Sequence, residues 1–130
     1  MYSDSKLRKN AVLASIYKEY LDKILSGEKT IEVRTNIPKS VLAPFPVFFY
    51  ETAKGGGARR VLAKALCTGF DILKDTDMTD EAVLGDFLQK SCLTRERVEQ
   101  YMGSHTTLFG WRLEQVKSAD VSLEECGVKR

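Results

Sequence analysis

The chain has 130 residues, 43% hydrophobic and 29% charged. That fits one domain with a real core and excludes a disordered chain or one that needs disulfides or a metal to fold. Twenty Lys and Arg against 18 Asp and Glu leave a net charge of +2, too little for a polycation that holds nucleic acid by bulk charge.

Residues 1–10 are polar and read as a flexible N-terminus. Residues 11–16 form a first strand, not the core of a signal peptide, because the apolar run is short and Lys18 and Glu19 follow it. Tyr17, Tyr20, Leu21, Ile24 and Leu25 then recur at helical spacing with charges on the opposite face, and Gly27 stands where a C-cap belongs. Residues 29–34 alternate, which predicts a strand with Ile31 and Val33 on one side and Thr30, Glu32 and Arg34 on the other. Pro38, Pro44 and Pro46 mark an irregular connection. Residues 47–52 are rich in β-branched and aromatic side chains and form a strand, residues 54–59 a Gly-rich turn, and residues 60–70 the returning strand.

Thr79-Asp80-Glu81 signals a helix running to about Lys90, and Thr94 starts a second that ends at Gly103. Residues 107–116 alternate again, with Phe109, Trp111 and Leu113 inward. Residues 118–130 are a charged tail without a clear pattern. The order β-α-β-β-β-α-α-β lacks regular βαβ alternation, so the class is α+β: a small mixed β-barrel of about five to six strands with flanking helices. One core should hold Ile31, Val33, Phe48, Phe109, Trp111 and Leu113.

Cys67, Cys92 and Cys126 form no CxxC pair, and the single histidine, His105, has no ligand-type neighbours. No metal and no cofactor are expected, and sparse odd cysteines fit a reducing, cytoplasmic location. The longest apolar stretch, residues 41–50, contains two prolines and is half a membrane span, so no membrane partner is expected.

The charge is spread unevenly. Residues 1–70 carry 12 basic and 6 acidic side chains, and residues 71–130 carry 8 and 12, so one face can be basic enough for phosphates. The sharpest cluster is Gly27-Glu28-Lys29-Thr30-Ile31-Glu32-Val33-Arg34. A mobile ammonium, a planar guanidinium fork and a carboxylate acceptor at one helix-to-strand junction can grip a nucleotide-like molecule. The same residues can equally be surface ion pairs.

The run from Ile16 to Arg34 resembles the opening of the ASCH domain family, PUA-like β-barrels with the signature GxKxxExR. Gly27, Lys29, Glu32 and Arg34 occupy all four places. Residues 47–52 are similar to the family's apolar strand ending in tyrosine, and residues 109–113 to its closing strand, so the likeness spans about residues 11–117. The resemblance implies a cleft for RNA or a modified nucleoside or nucleotide, lined by Gly27, Lys29, Glu32 and Arg34. Tyr50 is a candidate base contact, and Lys54, Arg59 and Arg60 are candidate phosphate contacts. It also implies an alternative, hydrolysis of an acylated nucleoside such as acetylcytidine, or of RNA, with Lys29 and Glu32 catalytic. Some small bacterial members use a lysine, a threonine and a glutamate for this, and here Glu32 stands at the threonine place. A protein-interaction module is the third reading.

Overall fold

The computed structural model describes residues 10–128, and the stretch expected to be flexible lies, apart from Asn10, outside the described residues. Strand β1 (Val12–Ile16) leads into helix α1 (Lys18–Ser26), then β2 (Ile31–Arg34), β3 (Phe45–Glu51) and the long β4 (Arg60–Lys74). A 3-10 turn (Asp75–Thr79) precedes α2 (Glu81–Ser91) and α3 (Arg95–Met102). Strand β5 (Thr107–Val121) and a single-turn helix α4 (Leu123–Cys126) complete the described chain. The strand order is β1-β3-β4-β5-β2, antiparallel except for the β1/β3 pair. The fold is a small α+β unit with a five-stranded mixed sheet and flanking helices.

The pairing ladder stops at β1 and β2, so the closed barrel expected from the strand count is not formed by backbone pairing among the described residues. The reason is local. Strand β2 has four residues and meets β1 through one side chain, Arg34, whose Nη2 donates to the Ser15 carbonyl oxygen at 2.7 Å. In a flat sheet these two edges would lie roughly 19 Å apart, four strand spacings of about 4.8 Å. The sheet therefore curls strongly, toward the face that carries Arg34.

Cross-strand register identifies that concave face. Directly opposed residues of antiparallel strands share a face, and Glu32 opposes Trp111 while Arg34 opposes Phe109. Phe45, Val47 and Phe49 oppose Cys67, Ala65 and Ala63, and Cys67 opposes Leu113. The Trp111 ring meets Phe45 edge-on at 5.5 Å and Phe70 at 6.2 Å. Glu32 and Arg34 thus share the inner face with Trp111.

As alternation predicts, Ile31 and Val33 turn to the face opposite Glu32 and Arg34, and they belong to the same core cluster as Trp111 and Leu113. There α2 covers them: a Cβ on Gly110 would lie 2.7 Å from Ile31 Cδ1 and 3.2 Å from Phe87 Cε1. Strand β2 is buried on both sides, so its period of two cannot tell inside from outside. Phe48 departs from the expected core. The alternation of β3 buries Phe45, Val47, Phe49 and Glu51 and sends Phe48 to a second cluster around Val61, Cys126 and Val128. Strand β5 continues past Val116 to Val121, and α4 carries Cys126 into that cluster.

The helix starts follow their capping residues. The Asp80 carboxylate accepts from the N–H groups of Ala82 and Val83, and the Thr94 hydroxyl from that of Arg97. These caps fix where α2 and α3 begin. The Ser91–Thr94 junction between them borders the candidate site.

Candidate functional site

Helix α1 buries Tyr20, Leu21 and Ile24, and Gly27 ends it at φ 86°, with its N–H donating to the Ile24 carbonyl. Only a residue without a Cβ takes that left-handed conformation freely. The chain then doubles back: the Lys29 N–H donates to the Lys23 carbonyl at 3.0 Å and the Thr30 N–H to the Lys90 carbonyl at 2.8 Å. The second bond ties the start of β2 to the last turn of α2. It leaves the Lys29 side chain nowhere to go but inward.

Lys29 is 2% exposed. Its Nζ donates to the Ser91 carbonyl oxygen at 2.6 Å, lies 3.5 Å from Glu32 Oε1 and sits 5.3 Å from the centre of the Tyr20 ring. Ser91 is the last residue of α2, where unpaired carbonyls concentrate partial negative charge. Even so, burial pushes the ammonium below the usual lysine range, with Glu32 opposing the shift most strongly. The other oxygen of Glu32, Oε2, lies 3.0 Å from Arg34 Nη2, which also bonds the Ser15 carbonyl. A continuous polar chain thus runs from Ser91 through Lys29, Glu32 and Arg34 to Ser15. Arg34 Nε is buried and has no partner.

This chain lines a cavity of about 380 Å³. Ser15, Ile16, Tyr17 and Tyr20 come from β1 and α1, Lys29, Glu32, Val33, Arg34 and Thr35 from β2 and its flanks, Thr52 from the end of β3, and Leu93, Arg97 and Tyr101 from the α3 region. Glu32 is the one carboxylate in that lining. The Tyr17 and Tyr20 rings lie 6.5 Å apart and nearly parallel. Burial pushes the hydroxyls of Tyr20 and Tyr101 above the usual tyrosine range, while the Arg97 guanidinium works against the shift of both. Both phenols therefore stay protonated donors at neutral pH.

Of the residues singled out in the sequence, Lys29, Glu32 and Arg34 meet in this cavity, and Gly27 makes the turn that brings them there. Tyr50 faces the second cluster with Val61 and Cys126. Lys54 and Arg59 are exposed on the Gly-rich turn, whose path is pinned by the buried Glu51 carboxylate accepting the Ala58 N–H at 2.9 Å. Arg60 is paired with Asp120 of β5. Glu96 and Glu99 are exposed, Glu99 being paired with Arg95, and neither lines the cavity.

Sequence reasoning missed Arg97 and Tyr101, which a tertiary contact of α3 brings to the site. It took Tyr17 and Tyr20 only as the apolar stripe of α1. Their clustering of three tyrosines with one unpaired arginine has no local signal. Among the described residues, no group of three His, Cys, Asp or Glu could hold a metal ion.

No family model matches the sequence, and no curated protein matches it. Solved structures do. The chain superposes on the crystal structure of ASCH from Zymomonas mobilis with a TM-score of 0.72 and 16% identity, covering 90% of this chain and 76% of that one. A serine-to-alanine variant of the same protein gives 0.72 and 17%, covering 91% and 78%. The chain has the fold of an ASCH domain. Within this ASCH fold the α1–β2 corner carries Gly27, Lys29, Glu32 and Arg34, and the last three converge on one cavity. No described helix is long and apolar enough to cross a membrane.

Proposed function

We propose that the cavity binds RNA or a nucleoside or nucleotide, modified ones included. The observation that carries this reading is the buried Lys29–Glu32–Arg34 chain opening on a space lined by three tyrosines. Nucleobases are recognised by aromatic faces together with donors and acceptors for their edges. Protonated Tyr20 and Tyr101 supply donors, and Glu32 keeps lone pairs beyond those given to Lys29 and Arg34. A volume of about 380 Å³ is at the small end of ligand pockets, the scale of one nucleotide unit rather than a strand.

In this reading the curled sheet acts as a PUA-like barrel with the cavity at its mouth, in a cytoplasmic protein. Gly27 serves by its turn. Lys54, Arg59 and Arg60 give sequence-independent attraction to an RNA backbone, and Tyr50 supports that face.

Calorimetric titration with free nucleosides and a short RNA tests the reading. Wild type binds at least one class, and Glu32→Gln weakens it by about 1–3 kcal/mol because an acceptor of the ligand edge is lost. Equal or tighter binding by Glu32→Gln means that the carboxylate reads nothing. No binding of either class at low salt leaves a protein-interaction module as the reading.

One observation favours a second reading, hydrolysis of an acylated nucleoside or of RNA: the ammonium of Lys29 is held below its usual range by burial. A lysine of that kind, beside Glu32 as general base, is equipped for proton transfer. Two features count against it. Lys29 Nζ is engaged by Ser91 and Glu32, and Glu32 replaces the hydroxyl nucleophile of the acetylcytidine-cleaving pattern. Cytidine release from acetylcytidine, lost in Lys29→Met, would promote the enzyme reading.

A further inference from the structure

Three cations, Lys29, Arg34 and Arg97, line the cavity with a single carboxylate, Glu32. Glu32 is already shared, with Lys29 at 3.5 Å and Arg34 at 3.0 Å. Arg97 is half-buried and near enough to Tyr20 to act on its hydroxyl. Among the described residues, no carboxylate pairs with it, whereas Arg60, Arg95 and Arg112 each have one in Asp120, Glu99 and Asp71. Counted formally, the cavity lining therefore carries a surplus of two positive charges, with Lys29 buried and Arg34 and Arg97 partly exposed. Such a concave surplus of one sign attracts an anion.

We infer that the ligand of this cavity is a nucleotide bearing a terminal phosphomonoester, with Arg97 as the anchor of its phosphate. The inference rests on the nucleotide reading above and narrows it. A phosphomonoester carries about −1.5 to −2 charge at pH 7, which matches the surplus. An internal RNA diester carries one negative charge and leaves half of it unmet. A neutral nucleoside meets none of it. Guanidinium is suited to the task because its planar fork gives two parallel bonds to phosphate oxygens. Helix α3 holds Arg97 firmly: Thr94 caps its start, and Val98 and Met102 bury its inner side. Tyr101 stands one turn beyond Arg97 on the same face, toward the same cavity. A phosphate at Arg97 would thus place the attached sugar and base beside the tyrosines.

The test is calorimetric titration of the full chain with the common nucleoside 5′- and 3′-monophosphates and the matching nucleosides. Tetranucleotide RNA with and without a terminal phosphate completes the set. At least one monophosphate should bind roughly ten- to a hundredfold tighter than its nucleoside. Arg97→Met should erase that gap between monophosphate and nucleoside, and Arg97→Lys should restore part of it. Melting curves of both variants establish that the fold persists. Tight binding of free monophosphates assigns the phosphate to a small molecule. A preference for the end-phosphorylated RNA over the free monophosphates assigns it to an RNA terminus, and either result supports the inference. Nucleosides binding as tightly as monophosphates, or a gap that survives in Arg97→Met, overturns it while the nucleotide reading stands. Failure of nucleosides, nucleotides and RNA alike overturns both.

Discussion

The ammonium of Lys29 lies 2.6 Å from the carbonyl oxygen of Ser91, 62 residues further along the chain. This bond joins the α1–β2 corner to the end of α2, and it explains why a lysine is tolerated at 2% exposure. Glu32 supplies the countercharge and passes the connection on to Arg34 and β1. Position and charge in the site are therefore set by the same few contacts.

Breaking this chain at its middle should be more damaging than breaking it at its start. Glu32→Leu leaves two buried or half-buried cations without a carboxylate, and the loss of stability should be about 3–5 kcal/mol. Lys29→Met removes a desolvated charge and leaves Glu32 paired with Arg34, so its cost should be smaller. The double variant should be more stable than the sum of the two predicts, by about 0.5–3 kcal/mol. Urea denaturation of the four proteins in the cycle measures this. Strict additivity would show that Lys29 and Glu32 do not interact.

The pH dependence follows from the direction of the Lys29 shift. Its folded pKa lies below the unfolded value of 10.5. Between the two, the folded chain has released a proton that the unfolded chain still holds, so stability rises with pH across that window. Tyr20 and Tyr101, shifted upward, act in the opposite sense and cost stability as pH rises above the usual tyrosine value of 10.0. Subtracting the Lys29→Met profile from that of wild type isolates the lysine. The difference should climb as pH rises from the folded value toward 10.5, whereas a flat difference would mean an ordinary lysine.

Trp111 is 4% exposed and packs edge-on against Phe45 and Phe70. Trp111→Ala should cost about 3–5 kcal/mol in chemical denaturation. A loss below about 1 kcal/mol, the scale of surface changes, would place the indole outside the core.

The basic turn offers a different prediction, because its arginines are not equivalent. Arg60 is committed to Asp120, while Arg59 is exposed and, among the described residues, without a carboxylate partner. If RNA uses this turn, Arg59→Ala should flatten the slope of log affinity against log salt by about 0.7, and Arg60→Ala by less. Equal effects would show that RNA displaces Asp120.

Much of this was legible in the sequence wherever the signal is local. The stripe Tyr20, Leu21, Ile24 and the terminator Gly27 define α1, and Asp80 and Thr94 mark two helix starts by their capping chemistry. The convergence of Lys29, Glu32 and Arg34 was legible from their spacing and the family signature. The division of β2 into an Ile31/Val33 face and a Glu32/Arg34 face was legible too, but which of them the curled sheet encloses was not, since the strand is buried on both sides. Arg97 and Tyr101 were hidden for another reason. Their place at the site depends on how α3 packs, which no pattern within residues 95–102 encodes. Barrel closure is not shown by the backbone pairing among the described residues, because strand count says nothing of whether two short edge strands reach each other's backbone.

The central claim, that the cavity around Lys29, Glu32 and Arg34 takes a nucleotide unit, is most directly tested by amide NMR shifts during titration with nucleoside monophosphates. The claim predicts saturable perturbations at residues 30–35, around Ser15 and Tyr17, and at residues 91–101, all weakened in Glu32→Gln. Perturbations confined to residues 54–60, or to the opposite face around Phe48 and Lys117, would contradict it.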